Sequence, residues 1–281
     1  EPALWDLYGK IVEQPLWQLI GGQAPEGTDA VAVPAGAAIP VGPVAETVAA
    51  AQRCVDAGYT RVKLKVTPGT AYFSAQAVRK AFPDLVISLD ANQSFTEHDI
   101  EELRNLDELG IAWIEEPLDP RRPVASGPHD LFARLAQLQR RIKTPVCLDE
   151  SIVSARDLAR VLKHPELKCF ALKIGKFGGI EPALQFVHMA QARGMRVWMG
   201  GMYDTGVSRR MHAAFETLSG VSDAGDIGAT SRYFDTDVTN PPYTVERGQV
   251  TLTRRGHEFG LGCELDRAAL SHVLIDQESF E

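Results

Sequence analysis

Five charged side chains suited to removing a proton beside a carboxylate recur along the chain: Lys65 in VKLKV, Asp90 in SLDANQ, Glu115 in WIEEPL, Asp149 in CLDES and Lys173 in ALKIG. Successive members lie 25, 25, 34 and 24 residues apart, each interval close to one strand, one helix and two turns. Asp90, Glu115 and Asp149 could together offer three carboxylate oxygens to one hard divalent cation. All-oxygen ligation suits Mg²⁺ better than zinc, which favours His or Cys. A single acidic residue at a strand end more often caps a helix or meets solvent, but three at matched positions outweigh that reading. WIEEP and LDE each hold adjacent carboxylates, and a strand sends neighbours to opposite sides, so one of each pair is expected at the common site. Periodicity does not choose which.

Lys63 and Lys65 are two apart on one strand and therefore face the same side. Val62, Leu64 and Val66 between and beside them suit a helix-facing layer, which turns the lysines inward. Mutual repulsion, desolvation and a nearby cation would each lower a lysine pKa, the usual route to a general base near neutral pH. Lys173 brings a second ammonium from across the site. Such a set is built for proton abstraction alpha to a carboxylate: the cation stabilises an enediolate, one lysine takes the proton, and the opposite lysine contributes charge or a second transfer. Asn92 also faces inward, either to orient a lysine or substrate oxygen or simply to form a turn. The seven histidines form no ligand-spaced pair.

The elements that must position these groups follow from the apolar pattern. Segments 30–40, 61–66, 85–91, 111–117, 145–151, 169–175 and 196–202 read as short buried strands. Between them, apolar residues recur at helical spacing, and three of the helical stretches stop at Gly58, Gly110 or Gly194, where a left-handed C-cap is expected. Strand alternating with helix, without a dinucleotide fingerprint after the first strand, predicts a closed α/β barrel with its active face at the strand C-termini. The Pro-rich stretch at 119–130 lengthens one loop on that face. From Ser222 onward the pattern weakens, predicting a degenerate eighth unit and a tail that wraps back. The organisation expected is a helical lead-in over 1–29, a barrel over 30–225, and a last barrel element with a C-terminal tail over 226–281.

A chain of 281 residues with 44% hydrophobic and 23% charged content can bury such a core. A net charge of −8 and a pI near 5.4 argue against nucleic acid and for a small-molecule substrate. Cys54, Cys147, Cys169 and Cys263 form no CxxC pair and read as buried thiols. No apolar run approaches the ~20 residues of a membrane span, and the opening residues lack signal-peptide order, so a reducing cytoplasm is the expected location.

KLK at 63–65, DAN at 90–92, IEEP at 114–117, CLDES at 147–151 and LKIGKFGG at 172–179 resemble the enolase superfamily, muconate lactonizing enzyme subgroup. The stretches WMGGMYDTGVSRRMHAA at 198–214 and DIGATSRYFDTDVTNPPYTVERGQVTL at 226–252 resemble its o-succinylbenzoate synthase and N-succinylamino acid racemase branch. This resemblance implies a modified TIM barrel of (β/α)7β type and Mg²⁺, with Mn²⁺ as a substitute, on Asp90, Glu115 and Asp149, the first residue of each acidic pair. It implies Lys65 as the acid-base residue and Lys173 on the opposite side of a small carboxylate substrate. Lys63, Asn92, Gly201 and Met202 would contact that substrate. In the synthase reaction of menaquinone biosynthesis, Lys65 would remove the alpha proton and help expel hydroxide as water; in the racemase reaction, Lys65 and Lys173 would alternate as base and acid.

The family's N-terminal α+β capping domain is largely absent from this chain, so the cap is expected to be missing or supplied elsewhere; a homo-oligomer is compatible with the sequence. Lys176 stands where racemising members commonly carry Arg, and GGMYD where GGMLE is usual. Alternatives are a non-catalytic binding barrel or another enolase-superfamily racemase, epimerase or cycloisomerase. A dipeptide epimerase would call for a DxD after the seventh strand, and a mandelate-racemase type for a His at Lys173.

Overall fold

Alternate residues on the strand Arg61–Lys65 have opposite surroundings: Val62 and Leu64 enter the apolar core, while Arg61, Lys63 and Lys65 point into a polar interior. That alternation organises the whole computed structural model, which describes residues 1–122, 127–254 and 258–275. Seven parallel strands follow one another in sequence order: β2 (Gly36–Ile39), β3 (Arg61–Lys65), β4 (Val86–Asp90), β5 (Ile114–Glu115), β6 (Val146–Leu148), β7 (Cys169–Leu172) and β8 (Arg196–Met199). Each is followed by a helix: α3 (Val44–Asp56), α4 (Ala71–Ala81), α5 (Ile100–Asn105), α6 (Leu131–Gln139), α7 (Ala155–Val161), α8 (Ile180–Ala192) and α9 (Gly206–Phe215). The helices α1 (Pro2–Ile11) and α2 (Leu16–Leu19) precede the barrel. Short antiparallel pairs lie outside it, β1 (Ala30–Pro34) with β10 (Gln249–Thr253) and β9 (Thr239–Asn240) with β11 (Glu264–Leu265), before α10 (Arg267–Val273).

The barrel closes through a stave too short to register as a strand. Ser222 and Asp226 N–H groups donate to Val197 and Met199 carbonyls of β8 at 3.0 and 2.8 Å, and Gly36 N–H of β2 donates to the Gly225 carbonyl at 2.6 Å. Seven βα units and a final strand segment thus make a (β/α)7β barrel.

Two apolar clusters reflect the alternation. Ile39, Val62, Leu64, Ile87, Leu89, Ile114, Val146, Leu148, Phe170, Leu172, Val197 and Met199 face the helices in the main core. Trp113, Cys147, Cys169, Ala171 and Trp198 form a separate plug inside the barrel, where layers of inward side chains normally fill the lumen. The indoles of Trp113 and Trp198 lie 5.1 Å apart, and the Arg61 guanidinium stacks within 5.4 and 5.0 Å of them. All four cysteines are free and buried. Among the described residues, no helix is long and apolar enough to cross a membrane.

Several elements depart from expectation. The stretch 30–40 is two strands: β1 pairs with β10, and only Gly36–Ile39 enters the barrel. The helix expected over 96–110 is a six-residue α-helix flanked by 3-10 turns, opened by a Thr96–Asp99 capping box. α9 follows β8 where the sequence reading names no helix, and its buried face includes the polar Arg209 and His212. Gly58, Gly110 and Gly194 do take left-handed conformations. Within the Pro-rich stretch 119–130, residues 123–126 lie outside the described residues, as do 255–257 and 276–281 of the tail.

Gly225 is required by close approach: a Cβ there would collide with the Glu216 carboxylate and sit 2.9 Å from Met199 Cβ. Gly225→Ala should lower unfolding stability by about 1–3 kcal/mol, read as a lower urea midpoint; an unchanged midpoint would contradict a tight closing seam.

His212 offers a pH test. Among the described residues its Nδ1 has no hydrogen-bond partner, and it lies 3.8 Å from Asp204 Oδ2. Burial pulls the imidazole down to about 4, with Asp204 opposing and Arg209 and Lys173 assisting. The unfolded histidine titrates near ~6.5, so this contribution is complete above that pH and is lost as pH falls towards 4. Its size is roughly 3 kcal/mol. His212→Gln should make unfolding free energy flatter between these pH values; wild type and variant with parallel pH profiles would contradict it.

Candidate active site

Strand register sets the carboxylates side by side. Asp90 ends β4 opposite Lys65 of β3 on one side and Glu115 of β5 on the other, while Glu115 faces Cys147 of β6, two residues before Asp149. All three acidic side chains are almost fully enclosed. Burying carboxylates without partners is prohibitive, and lysines supply the partners.

Lys63 Nζ lies 3.2 Å from Glu115 Oε2, 3.4 Å from Asp90 Oδ2 and closest of all to Asp226. Lys65 Nζ donates to Asp90 Oδ2 at 2.6 Å and to Asn92 Oδ1 at 2.7 Å. Across the barrel, Lys173 donates to Asp149 Oδ2 at 2.6 Å and Lys176 to Asp149 Oδ1 at 2.9 Å. Burial falls along β3 towards the mouth: the Arg61 side chain is 2% exposed, Lys63 6% and Lys65 34%. Lys65 is therefore the β3 lysine most open to solvent at the mouth.

The electrostatics correct one expectation. Burial draws the Lys63 and Lys173 ammonium groups down, but carboxylates outweigh it and hold both above the usual lysine value: Asp226, Glu115 and Asp90 for Lys63, Asp149 for Lys173. Burial pushes the Glu115 carboxyl up to about 8 against the pull of Lys63, with Asp90, Asp226 and Asp149 adding to the rise. Burial would raise Asp149 as well, yet Lys173 and Lys176 hold it below the usual carboxylate range. Among the described residues, no three acidic, imidazole or thiol groups stand ready to hold an ion; ammonium groups occupy the space between them.

The adjacent acidic pairs separate differently from each other. Glu116 has left the strand, with φ 37°, and its Oε1 accepts Asp149 N–H and Ser151 N–H at 2.9 Å each and the Ser151 hydroxyl. It fixes the end of β6 while Glu115 enters the lumen. For Asp149 and Glu150 the opposite-sides expectation fails, because β6 ends at Leu148. Glu150 Oε1 instead accepts Asn92 Nδ2 at 2.8 Å, joining the Lys65 network. Asn92 combines both expected roles: its φ is 42°, a turn conformation, and its side chain bridges Lys65 and Glu150.

Gly201 lies against the Asp226 carbonyl, where a Cβ would clash. Met202 is 56% exposed at the mouth, beside Tyr203, whose ring packs edge-on to Tyr233 at 5.2 Å. Arg209 ties this loop to the closing stave through the Met202 and Asp226 carbonyls. Sequence reasoning missed Asp226 and Arg61. Arg61 was visible as the third inward position of RVKLK; Asp226 carried only its place in the degenerate eighth unit.

Residues 46–269 match the family described as Enolase C-terminal domain-like. The chain is 36% identical over 268 residues to the o-succinylbenzoate synthase of Geobacillus kaustophilus, covering 95% of this chain and 67% of that protein. It is 33% identical over 278 residues to the N-succinylamino acid racemase of Thermus thermophilus, covering 99% and 70%. A solved enolase-superfamily structure from Listeria innocua superposes with a TM-score of 0.85 at 29% identity, covering 96% of this chain and 68% of that one. With the parallel (β/α)7β barrel and sequence relatives agreeing, this chain belongs to the enolase superfamily and is related within it to proteins named o-succinylbenzoate synthase and N-succinylamino acid racemase.

Proposed function

We propose that the protein is a cytoplasmic, Mg²⁺-dependent o-succinylbenzoate synthase acting on a small carboxylate substrate. The observation that carries this reading is the placement of Lys65 and Lys173 at the ends of β3 and β7, with Asp90, Glu115 and Asp149 at or just beyond the ends of the strands between. The names of the relatives support the reaction.

The donor set fits a hard cation. All three candidate ligands are carboxylates, and all three are almost fully buried with lysine ammonium groups as their counter-ions. Lys63 is the stand-in cation between Asp90 and Glu115. Asp90, Glu115 and Asp149 would hold Mg²⁺, or Mn²⁺ in its place. When bound, the cation supplies positive charge against the negative charge that grows on the substrate carboxylate as the alpha proton leaves.

The remaining work falls to the chain's own side chains. Lys65 Nζ takes the alpha proton and returns it to the departing hydroxide, so that water leaves and the ring becomes aromatic. Asn92 orients Lys65, Lys63 faces the substrate carboxylate, and Gly201 and Met202 line the substrate. Lys173 holds positive charge on the opposite face. A second reading, N-succinylamino acid racemisation at the same site, is favoured by the same opposed pair: one lysine removes the proton and the other delivers one to the opposite face. Lys176 shares Asp149 with Lys173 where racemising members commonly carry Arg, which favours elimination as the main activity.

Asp149→Asn should lower kcat/KM for dehydration of the hydrated, non-aromatic precursor of o-succinylbenzoate by about a hundredfold or more, with the far-UV circular dichroism spectrum unchanged. Wild-type turnover by this variant at limiting Mg²⁺ would remove Asp149 from the site.

A further inference from the structure

Lys63 has three carboxylates within reach of one ammonium: Glu115 Oε2 at 3.2 Å, Asp90 Oδ2 at 3.4 Å and Asp226, the nearest. Two of these belong to the set offered to the cation. The third does not. Asp226 comes from the closing stave, on the other side of β3 from β4 and β5.

Asp226 is firmly anchored. Its N–H donates to Met199 O at 2.8 Å, its carbonyl accepts from Arg209, and its Oδ1 receives Arg61 Nη2 at 2.6 Å. The free oxygen, Oδ2, takes Lys63. Lys63, by contrast, hangs on a flexible four-carbon stem. Its ammonium can lean towards Asp90 and Glu115 or towards Asp226.

A divalent cation and an ammonium repel each other and compete for the same carboxylate oxygens. A cation arriving at Asp90 and Glu115 therefore drives Lys63 away from them, and a buried ammonium needs another counter-ion when that happens.

Resting on the metal-dependent reading above, we propose that Asp226 is a positioning residue: it is the berth that draws Lys63 off Asp90 and Glu115, leaving those carboxylates to the cation and keeping the ammonium beside the substrate carboxylate. Without it, Lys63 falls onto Asp90 and Glu115 and competes with the metal. Arg61 contributes by fixing the other Asp226 oxygen, so that the carboxylate cannot follow the lysine inward.

The test is binding of Mn²⁺ alone to the full chain, read from the electron paramagnetic resonance signal of free Mn²⁺, without substrate or turnover. Asp226→Asn should weaken binding about fivefold or more, with the near-UV circular dichroism spectrum retained. In a Lys63→Met background the same change should alter binding by less than about twofold, because the competitor is gone. If Asp226→Asn does not fold, Asp226→Asn/Arg61→Gln carries the test, since it removes one buried charge of each sign; the same weakening is expected. Equal Mn²⁺ affinity of wild type and the Asp226 variants overturns the proposal. Equal weakening with and without Lys63 also overturns it, since Asp226 would then act by its charge alone. A wild type that binds no Mn²⁺ contradicts the metal reading itself, and the inference with it.

Discussion

The barrel depends on pairing the cations that β3 sends inward. Pleating puts Arg61, Lys63 and Lys65 on one side of the strand, and that side faces the lumen. Three positive groups in an enclosed space are tolerable only where carboxylates meet them. Asp226 meets Arg61 and Lys63, Glu115 and Asp90 meet Lys63, and Asp90 meets Lys65. The acidic residues ending β4 and β5, and the one on the closing stave, are thus structural counter-ions as well as candidates for chemistry. Below them, Trp113 and Trp198 seal the lumen and accept the Arg61 guanidinium against their faces.

The same constraint links the loops. Glu116 ties Asp149 and Ser151 through one carboxylate oxygen, while its other oxygen takes Gln93 Nε2 at 3.3 Å. The loop after β4 and the end of β6 are thereby joined across β5. Asn92 and Glu150 make a second join between those loops, at the level of Lys65. Lys65 and Asn92 therefore sit on a connected polar network, in which, among the described residues, Glu150 Oε2 is buried without a hydrogen-bond partner.

Much of this was legible in the sequence because strand ends are punctuated. An apolar run followed by a turn places Asp90, Glu115, Asp149 and Lys173 on one face without further information. The choice between Glu115 and Glu116 was not legible from alternation alone, since Glu116 adopts a positive φ that a strand pattern does not encode. The Asp149–Glu150 pair misled for the related reason that β6 stops at Leu148, before the pair. α9 escaped because Arg209 and His212 occupy buried positions in place of apolar residues. Asp226 escaped because a stave held by a few hydrogen bonds has no period to detect. The pairing of Lys63 and Lys65 on one side of a strand pointed to lowered lysine pKa values, whereas the carboxylates around Lys63 hold its ammonium above the usual lysine value.

The central claim is that Lys65 and Lys173 approach a substrate from opposite faces. Solvent deuterium exchange with an N-succinylamino acid of each hand tests it most directly. Wild type should exchange the alpha proton of both enantiomers, one through each lysine. Lys173→Arg, which keeps the charge but cannot give up its proton, should exchange only the enantiomer presented to Lys65. Exchange of both enantiomers by Lys173→Arg at wild-type rates would contradict the account, because Lys173 would then not be the second base.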